Sequence, residues 1–411
     1  MREQGVDCVL QPIYTPIRTD DQSVAADQVF FGGIHIYLLQ QFPVLRRLPR
    51  FMRRWLDWTP LIRFATRKSV SYDAKQLGEL SISMLQGREG RQADEVDRLS
   101  RWLSDEMQPD AILFTNLLIG GCLPELSELL PAAKRVVLLQ GDDIFLDHLP
   151  ETERGKAIAL CRSLVPYVDR FVTHSDFYAR KMSELLNIPS DRISVTPLSI
   201  DLGPFEQVQQ TPVQRSGEFR IGYLARIAPE KGLHHLIDVF IDLASLPEND
   251  HVSLHVAGWL GEHQQEYFDS LLTKIRDAGL QHRFTYHGSP DLDEKITLLK
   301  SYDVTCVPTD YQDPKGLFAL ESLAAGTPVI LPDHGAFPEI LSSTGGGLLF
   351  QPGDRHGLIE AINQLKQNAD LRRNLADQGK SAVKERHSIQ VAAKEMSKLC
   401  FDRSRSAKFT D

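Results

Sequence analysis

Ile221-Gly-Tyr-Leu-Ala-Arg-Ile-Ala-Pro-Glu-Lys-Gly-Leu233 begins as an apolar run and ends in a loop of small residues that carries Arg226 and Lys231. The run reads as a buried strand, and Leu233 opens a stretch with helical spacing, so the loop joins a strand to a helix that starts near Gly232. Free N–H groups and the positive end of the dipole gather at such a helix start. With the charges of Arg226 and Lys231 added, a diphosphate is the guest that suits them. A βα turn with two solvated cations explains the same residues, because a Lys/Arg pair beside a helix start is common.

Outward from this stretch the pattern repeats. From about residue 105 short apolar runs alternate with longer amphipathic ones, which is how β-α units feed a parallel sheet, so the fold class is α/β. Strands are predicted at Ala111–Phe114, Arg135–Leu139, Phe171–Thr173 and Ile193–Thr196, then at Arg220–Tyr223, Ser253–Ala257, Phe284–His287, Val304–Val307 and Pro328–Leu331. Between the two sets Gly203 to Gly217 is rich in Pro, Gln and Ser without a period, the composition of a linker. The expected organisation is therefore an N-terminal domain over 1–205, a second over 216–385, and a C-terminal helical piece over 386–411 that crosses back to the first. Helical spacing recurs at Leu358, Ile359, Ala361, Ile362 and Leu365, and again from Ile389 to Phe401.

Bulk properties bound the class. A chain of 411 residues exceeds one ordinary core and fits two domains, with a cleft expected between two lobes. Hydrophobic content of 42% and charged content of 25% are those of a globular enzyme. Five cysteines, far apart and never in a C-x-x-C arrangement, suggest neither a disulfide framework nor a zinc site, and the reducing cytoplasm is the expected compartment. A net charge of -9 argues against nucleic acid as a partner, since phosphate neutralisation needs a basic face.

A second chemical signal is Asp313-Pro-Lys-Gly-Leu-Phe-Ala-Leu-Glu-Ser-Leu-Ala-Ala-Gly326. Asp313 precedes a helix start, and Glu321 lies a little over two turns further on, so both carboxylates are expected at one cavity. A carboxylate accepts two hydroxyl hydrogen bonds at once, which gripping a ribose or hexose diol requires. Lys315 and the N–H groups of Gly316 and Leu317 are expected to face phosphate. A capping aspartate with a solvated helix glutamate is the plainer account; the small residues after Glu321 favour the site. Third, Pro332-Asp-His-Gly-Ala-Phe-Pro-Glu339 and Thr344-Gly-Gly-Gly347 set small residues, Gly335 and Ala336 among them, after a strand end, where ligands lie against open parallel sheets. No acidic cluster resembles a metal site, and no cofactor is implied.

Residues from about Ser216 to Asp354 resemble the donor-binding domain of the retaining glycosyltransferases of family 4, the glycosyl transferases group 1, which have the GT-B fold: two Rossmann-like domains with parallel sheets facing a central cleft. Weaker likeness runs through Val172-Thr-His-Ser-Asp-Phe-Tyr178 to Pro197-Leu-Ser-Ile-Asp201. The resemblance implies a nucleotide-sugar donor and a saccharide or lipid-linked acceptor. It assigns Arg226 and Lys231 to the donor diphosphate, Glu321 to the ribose, Asp313 to the first acid of the family's E-x7-E pattern near the donor sugar, and Gly288 and Ser289 to the loop by the nucleobase. Two positions depart from the pattern: Asp313 is one methylene shorter than the usual glutamate, and Ala225 stands where glycine is usual.

The N-terminal half matches the family less closely. Met1-Arg-Glu-Gln-Gly-Val-Asp-Cys-Val-Leu10 resembles the end of the family's first helix followed by the second strand, so a first β-α unit is expected to be missing from this sequence. Gly32 and Gly33 are offered as acceptor-side residues, as are Asp142 and Asp143 after a strand, and Asn116, where many relatives carry histidine. Residues 46–68 hold Arg46, Arg47, Arg50, Arg53, Arg54, Arg63, Arg67 and Lys68 against Asp57, interleaved with Phe51, Trp55 and Trp58. That composition suits peripheral contact with the inner face of a membrane, or an acceptor-side helix whose arginines sit in water or hold an anionic acceptor. The function expected is hexosyl transfer with retention and without a metal. The alternative is a non-catalytic sugar-nucleotide-binding relative.

Overall fold

The computed structural model describes residues 1–11, 74–208 and 217–401. Gly32, Gly33 and the basic segment 46–68 lie outside them. The chain divides into two compact units, one of residues 1–173, 179–194 and 394–411, the other of residues 174–178 and 195–393.

The first unit is built on a four-stranded sheet in the order β1 (Ala111–Phe114), β2 (Lys134–Leu138), β3 (Arg170–Thr173), β4 (Ile193–Val195). β1 runs parallel to β2 with Leu113 opposite Val136, and β2 runs parallel to β3 with Val137 opposite Phe171. Sequential strands lie side by side because each is followed by a helix that returns the chain along the sheet face.

The second unit is a six-stranded sheet: β5 (Phe219–Leu224), β6 (Val252–Ala257), β7 (Phe284–Tyr286), β8 (Val304–Cys306), β9 (Val329–Pro332) and β10 (Gly347–Phe350). Their order is β10-β9-β8-β5-β6-β7, and every pairing is parallel. Strands covered on both faces must be apolar throughout, and β8 and β9 are buried at every position. The chain winds outward from β5 through β6 to β7, then returns to start again at β8 on the other side. The order therefore reverses between β5 and β8, and a doubly wound sheet opens a crevice outside the carboxyl ends of those two strands. Leu233, Leu236, Ile237 and Phe240 of the helix Leu233–Ala244 are fully buried with Ile221 and Tyr223 of β5 in one core.

Nine of the ten strands fall where the apolar runs predict them, with ends moved by a residue or so. β10 is the exception. Gly347 opens it and its side chains are only half covered at the sheet edge, so a glycine-rich turn masks the strand signal. The helix Ala369–Arg386 also escapes the apolar pattern, because Leu371, Leu375 and Val383 are nearly its only large apolar residues; Asn368 caps it by accepting from the Leu371 N–H at 2.9 Å.

The domain boundary differs from the expected linker. The second unit takes over at Val195, and Gly203–Gln207 is a short helix whose Phe205 is buried while Lys300 donates to its carbonyl at 2.7 Å. Packing of one aromatic residue overrides a loop-like composition. The helix Ile389–Phe401 contributes its last residues to the first unit, where Cys400 packs with Val136 of β2 and Val172 of β3. No helix among the described residues is long and apolar enough to cross a membrane.

Candidate active site

At the reversal between β5 and β8 two loops are stitched together. The loop after β5 turns through Pro229–Lys231 and reaches its helix at Gly232, whose φ of 72° is open to glycine; a Cβ there would lie 1.7 Å from the Pro308 carbonyl oxygen of the loop after β8. The N–H groups of Asp310 and Tyr311 donate to the Glu230 carbonyl at 3.1 and 3.2 Å. From below, the buried Tyr223 hydroxyl lies 3.3 Å from the carbonyl oxygens of both Arg226 and Lys231. The backbone that carries the two cations is therefore fixed from both sides.

Their side chains differ. Arg226 is exposed, 3.2 Å from Glu230 four residues on in the loop, a contact of little energetic weight. Lys231 is mostly covered and sits 2.9 Å from Asp313 Oδ2, its ammonium 5.4 Å from the centre of the Tyr311 ring. The other carboxylate oxygen of Asp313 accepts from the N–H groups of Lys315 at 3.0 Å and Gly316 at 2.9 Å. Burial alone would raise this carboxyl's pKa; Lys231 and the two amides outweigh burial and hold it below the ordinary value. Two expectations change here. The Gly316 amide, expected to face phosphate, donates to Asp313 beside the amide of Lys315, because a buried carboxylate must fill its lone pairs locally. Gly335, with φ 63°, lies so close to the Asp313 backbone that a Cβ would meet it at 2.7 Å, and Ala336 donates to the Asp313 carbonyl at 2.9 Å. The small residues after β9 thus serve backbone packing on the Asp313 loop. Leu317 opens the helix Leu317–Ala325 with an exposed side chain, and the Ala319 N–H of its first turn donates back to the Gly316 carbonyl at 3.0 Å.

Glu321, on the same helix, meets Lys295 at 2.6 Å. Sequence reading missed Lys295, which comes from the helix Leu292–Ser301 and looks like one of many surface lysines. Asp313 and Glu321 are each engaged by a lysine from a different segment. Gly288, with φ 68° and open space where a Cβ would be, accepts from the Gly258 N–H at 2.8 Å, and Ser289 beside it is exposed.

Residues 205–382 match the family profile of the glycosyl transferases group 1. That stretch, most of the second unit, is what the chain shares with the group 1 glycosyl transferases. It is 24% identical over 254 residues to an uncharacterized glycosyltransferase of Methanocaldococcus jannaschii, covering 59% of this chain and 63% of that protein. It is 29% identical over 171 residues to the phosphatidyl-myo-inositol mannosyltransferase of Mycobacterium leprae, covering 42% and 43% of the two chains. The chain thus spans less than two thirds of the length of these curated relatives. Among solved structures, HepE of Anabaena in complex with UDP superposes with a TM-score of 0.64 at 17% identity, over 76% of this chain and 84% of that one. A glycosyltransferase of Rickettsia africae gives 0.60 at 14%, over 80% and 95%. These likenesses show the fold, GT-B, with a parallel sheet in each unit.

In the first unit the residues expected on the acceptor side are engaged by the protein itself. Asp142 is 3% exposed; its oxygens accept from the N–H groups of Leu117 at 2.9 Å and Gln140 at 3.1 Å, and burial pushes its pKa up to about 6 against those amides. Asp143, 1% exposed, pairs with Lys181 at 2.7 Å. Asn116 caps the turn Leu117–Cys122 by accepting from the Ile119 N–H at 3.2 Å. Asp142 and Asp143, expected to contact acceptor hydroxyls, are found with their carboxylates on two buried amides and an ammonium. Among the described residues, one trio has the geometry of metal ligands, His234, His235 and Asp310. The sequence reading, which looked for acidic clusters, did not assemble it, because Asp310 stands 75 residues from His235.

Proposed function

We propose that the chain transfers a hexosyl group from a nucleoside-diphosphate sugar to a hydroxyl acceptor, with retention of configuration. The observation that carries this reading is the meeting of an exposed guanidinium and a held ammonium, Arg226 and Lys231, on a fixed backbone at the strand-order reversal of the second unit. As the bond from the anomeric carbon to the diphosphate oxygen breaks, negative charge grows on the leaving phosphate, and cations already in place stabilise it without reorganising. Asp313 orients Lys231 for that task. Arg226, tied only to Glu230 at the surface, is free to turn to phosphate. The acceptor hydroxyl attacks from the face the diphosphate leaves, and its proton passes to the departing phosphate oxygen. The protein's own cations take the part a divalent ion plays elsewhere. Glu321 grips the ribose diol through the oxygen that Lys295 leaves over.

HepE has been solved with UDP-glucose, which makes UDP-sugars the first donors to test. In a thermal-shift series with UDP-, GDP- and ADP-sugars, one nucleotide class is expected to raise the melting temperature, and Arg226→Ala to remove the rise. No shift with any of them would overturn the donor assignment.

A further inference from the structure

His234 and His235 open the helix that follows the Lys231 turn, and Asp310 reaches them from the loop after β8. We propose that these three side chains form a binding site for one divalent transition-metal ion of the zinc class, which clamps the β5 and β8 loops together beside the diphosphate site.

Two observations carry this. The ligand atoms all lie within 4.8 Å of one another. His235 Nε2 is 2.8 Å from Asp310 Oδ1 and His234 Nε2 is 3.8 Å from Oδ2. Zinc bound tetrahedrally at about 2.0–2.1 Å to nitrogen and oxygen sets its ligand atoms roughly 3.3 Å apart, midway between those two separations. Small side-chain rotations bring all three atoms onto one ion, since His235 and Asp310 are exposed and unhindered.

The second observation is an outer contact of the kind that orients metal-bound imidazoles. The Tyr267 hydroxyl sits 3.0 Å from His234 Nδ1 and also receives the His234 backbone N–H at 3.3 Å. An oxygen at Nδ1 that accepts its proton leaves the Nε2 lone pair facing Asp310, where a lone pair opposite a carboxylate calls for a cation between them.

Two imidazoles and a carboxylate leave a fourth position to water. Nitrogen ligands favour zinc, cobalt or nickel over magnesium, which prefers oxygen. On binding, the His235 proton that now bonds Asp310 leaves Nε2 for Nδ1 or solvent, and the ion takes its place.

The experiment uses the full chain without an affinity tag, stripped with chelator and titrated with cobalt(II) chloride, then with zinc chloride. One cobalt per chain is expected, with visible bands of a four- or five-coordinate nitrogen and oxygen set and no thiolate charge-transfer band. Zinc should raise the melting temperature where magnesium at the same concentration does not. His235→Ala should abolish the bands, Asp310→Asn should weaken binding at least tenfold, and Tyr267→Phe should weaken it about tenfold. Metal-free melting temperatures of the variants show that each folds. A thiolate band, or zinc stabilisation that persists undiminished in both His235→Ala and Asp310→Asn, would overturn the proposal, as would no uptake by the native chain. No sugar nucleotide enters the experiment, so its outcome is independent of the donor assignment.

Discussion

Lys231 and Asp313 pair in the candidate site 2.9 Å apart, both mostly covered. Removing one partner strands the other in a poorly solvated place. Lys231→Met is therefore expected to lower transfer about 10²- to 10³-fold, as the loss of one preorganised charge donor does. Asp313→Asn is expected to cost about 2–3 kcal/mol of stability, because the ammonium loses its counter-charge while the amides keep an acceptor. The pH dependence follows from the sign of the shift. The Asp313 carboxyl is held below its ordinary value of 3.8 in the folded chain, so its contribution is complete above that value and disappears as the pH falls through the folded pKa. Urea midpoints of native chain and variant should differ most near neutrality and converge below about pH 4. A constant gap would show that Asp313 acts through its shape and not its charge. At this scale the residue types were legible in the sequence: Arg226, Lys231, Asp313 and Glu321 all stand on the second unit's loops and helix starts. Their partners were not, because Lys295 and Tyr267 are ordinary surface residues until folding brings them to Glu321 and His234.

The elements impose their own requirements. Gly232 starts a helix with a left-handed φ against the Pro308 carbonyl, so Gly232→Ala combines backbone strain with a backbone clash. A loss of at least about 2 kcal/mol is expected in chemical unfolding, and a smaller loss would mean that the β8 loop gives way. At the far side of the sheet His255 of β6 and His287, just past the end of β7, stack with ring centres 5.3 Å apart. Burial first, then the charges of Arg220 and His287, push His255 down to about 4 from 6.5. A depressed histidine must be neutral in the fold, so stability is expected to fall by roughly 2–3 kcal/mol as the pH is lowered from about 6.5 toward 4. His255→Phe should flatten that part of the pH profile; an unchanged slope would assign the acid sensitivity elsewhere. β10 and the helix Ala369–Arg386 escaped sequence reading for opposite reasons, one hidden by glycine and the other too polar to show a stripe.

At the scale of the whole chain, Cys400 near the C-terminus packs on Val136 and Val172 of the first unit's sheet. Removing residues 394–411 should therefore loosen β2 and β3 while leaving β5 to β10 protected, which amide hydrogen exchange would resolve strand by strand. Equal protection in both sheets would show that the helix is dispensable. The sequence by itself determined the α/β class, nine of the ten strands and the loops that hold the cations, because apolar runs and helix starts are local properties with local physical causes. Only the tertiary structure decided the strand order, and with it the reversal between β5 and β8 where a doubly wound sheet opens its crevice. It also turned Asp142 and Asp143 inward to satisfy amides and an ammonium, and it joined His234 and His235 to an aspartate 75 residues from His235. Such choices rest on which buried groups find partners across the fold, and no spacing along the chain records them.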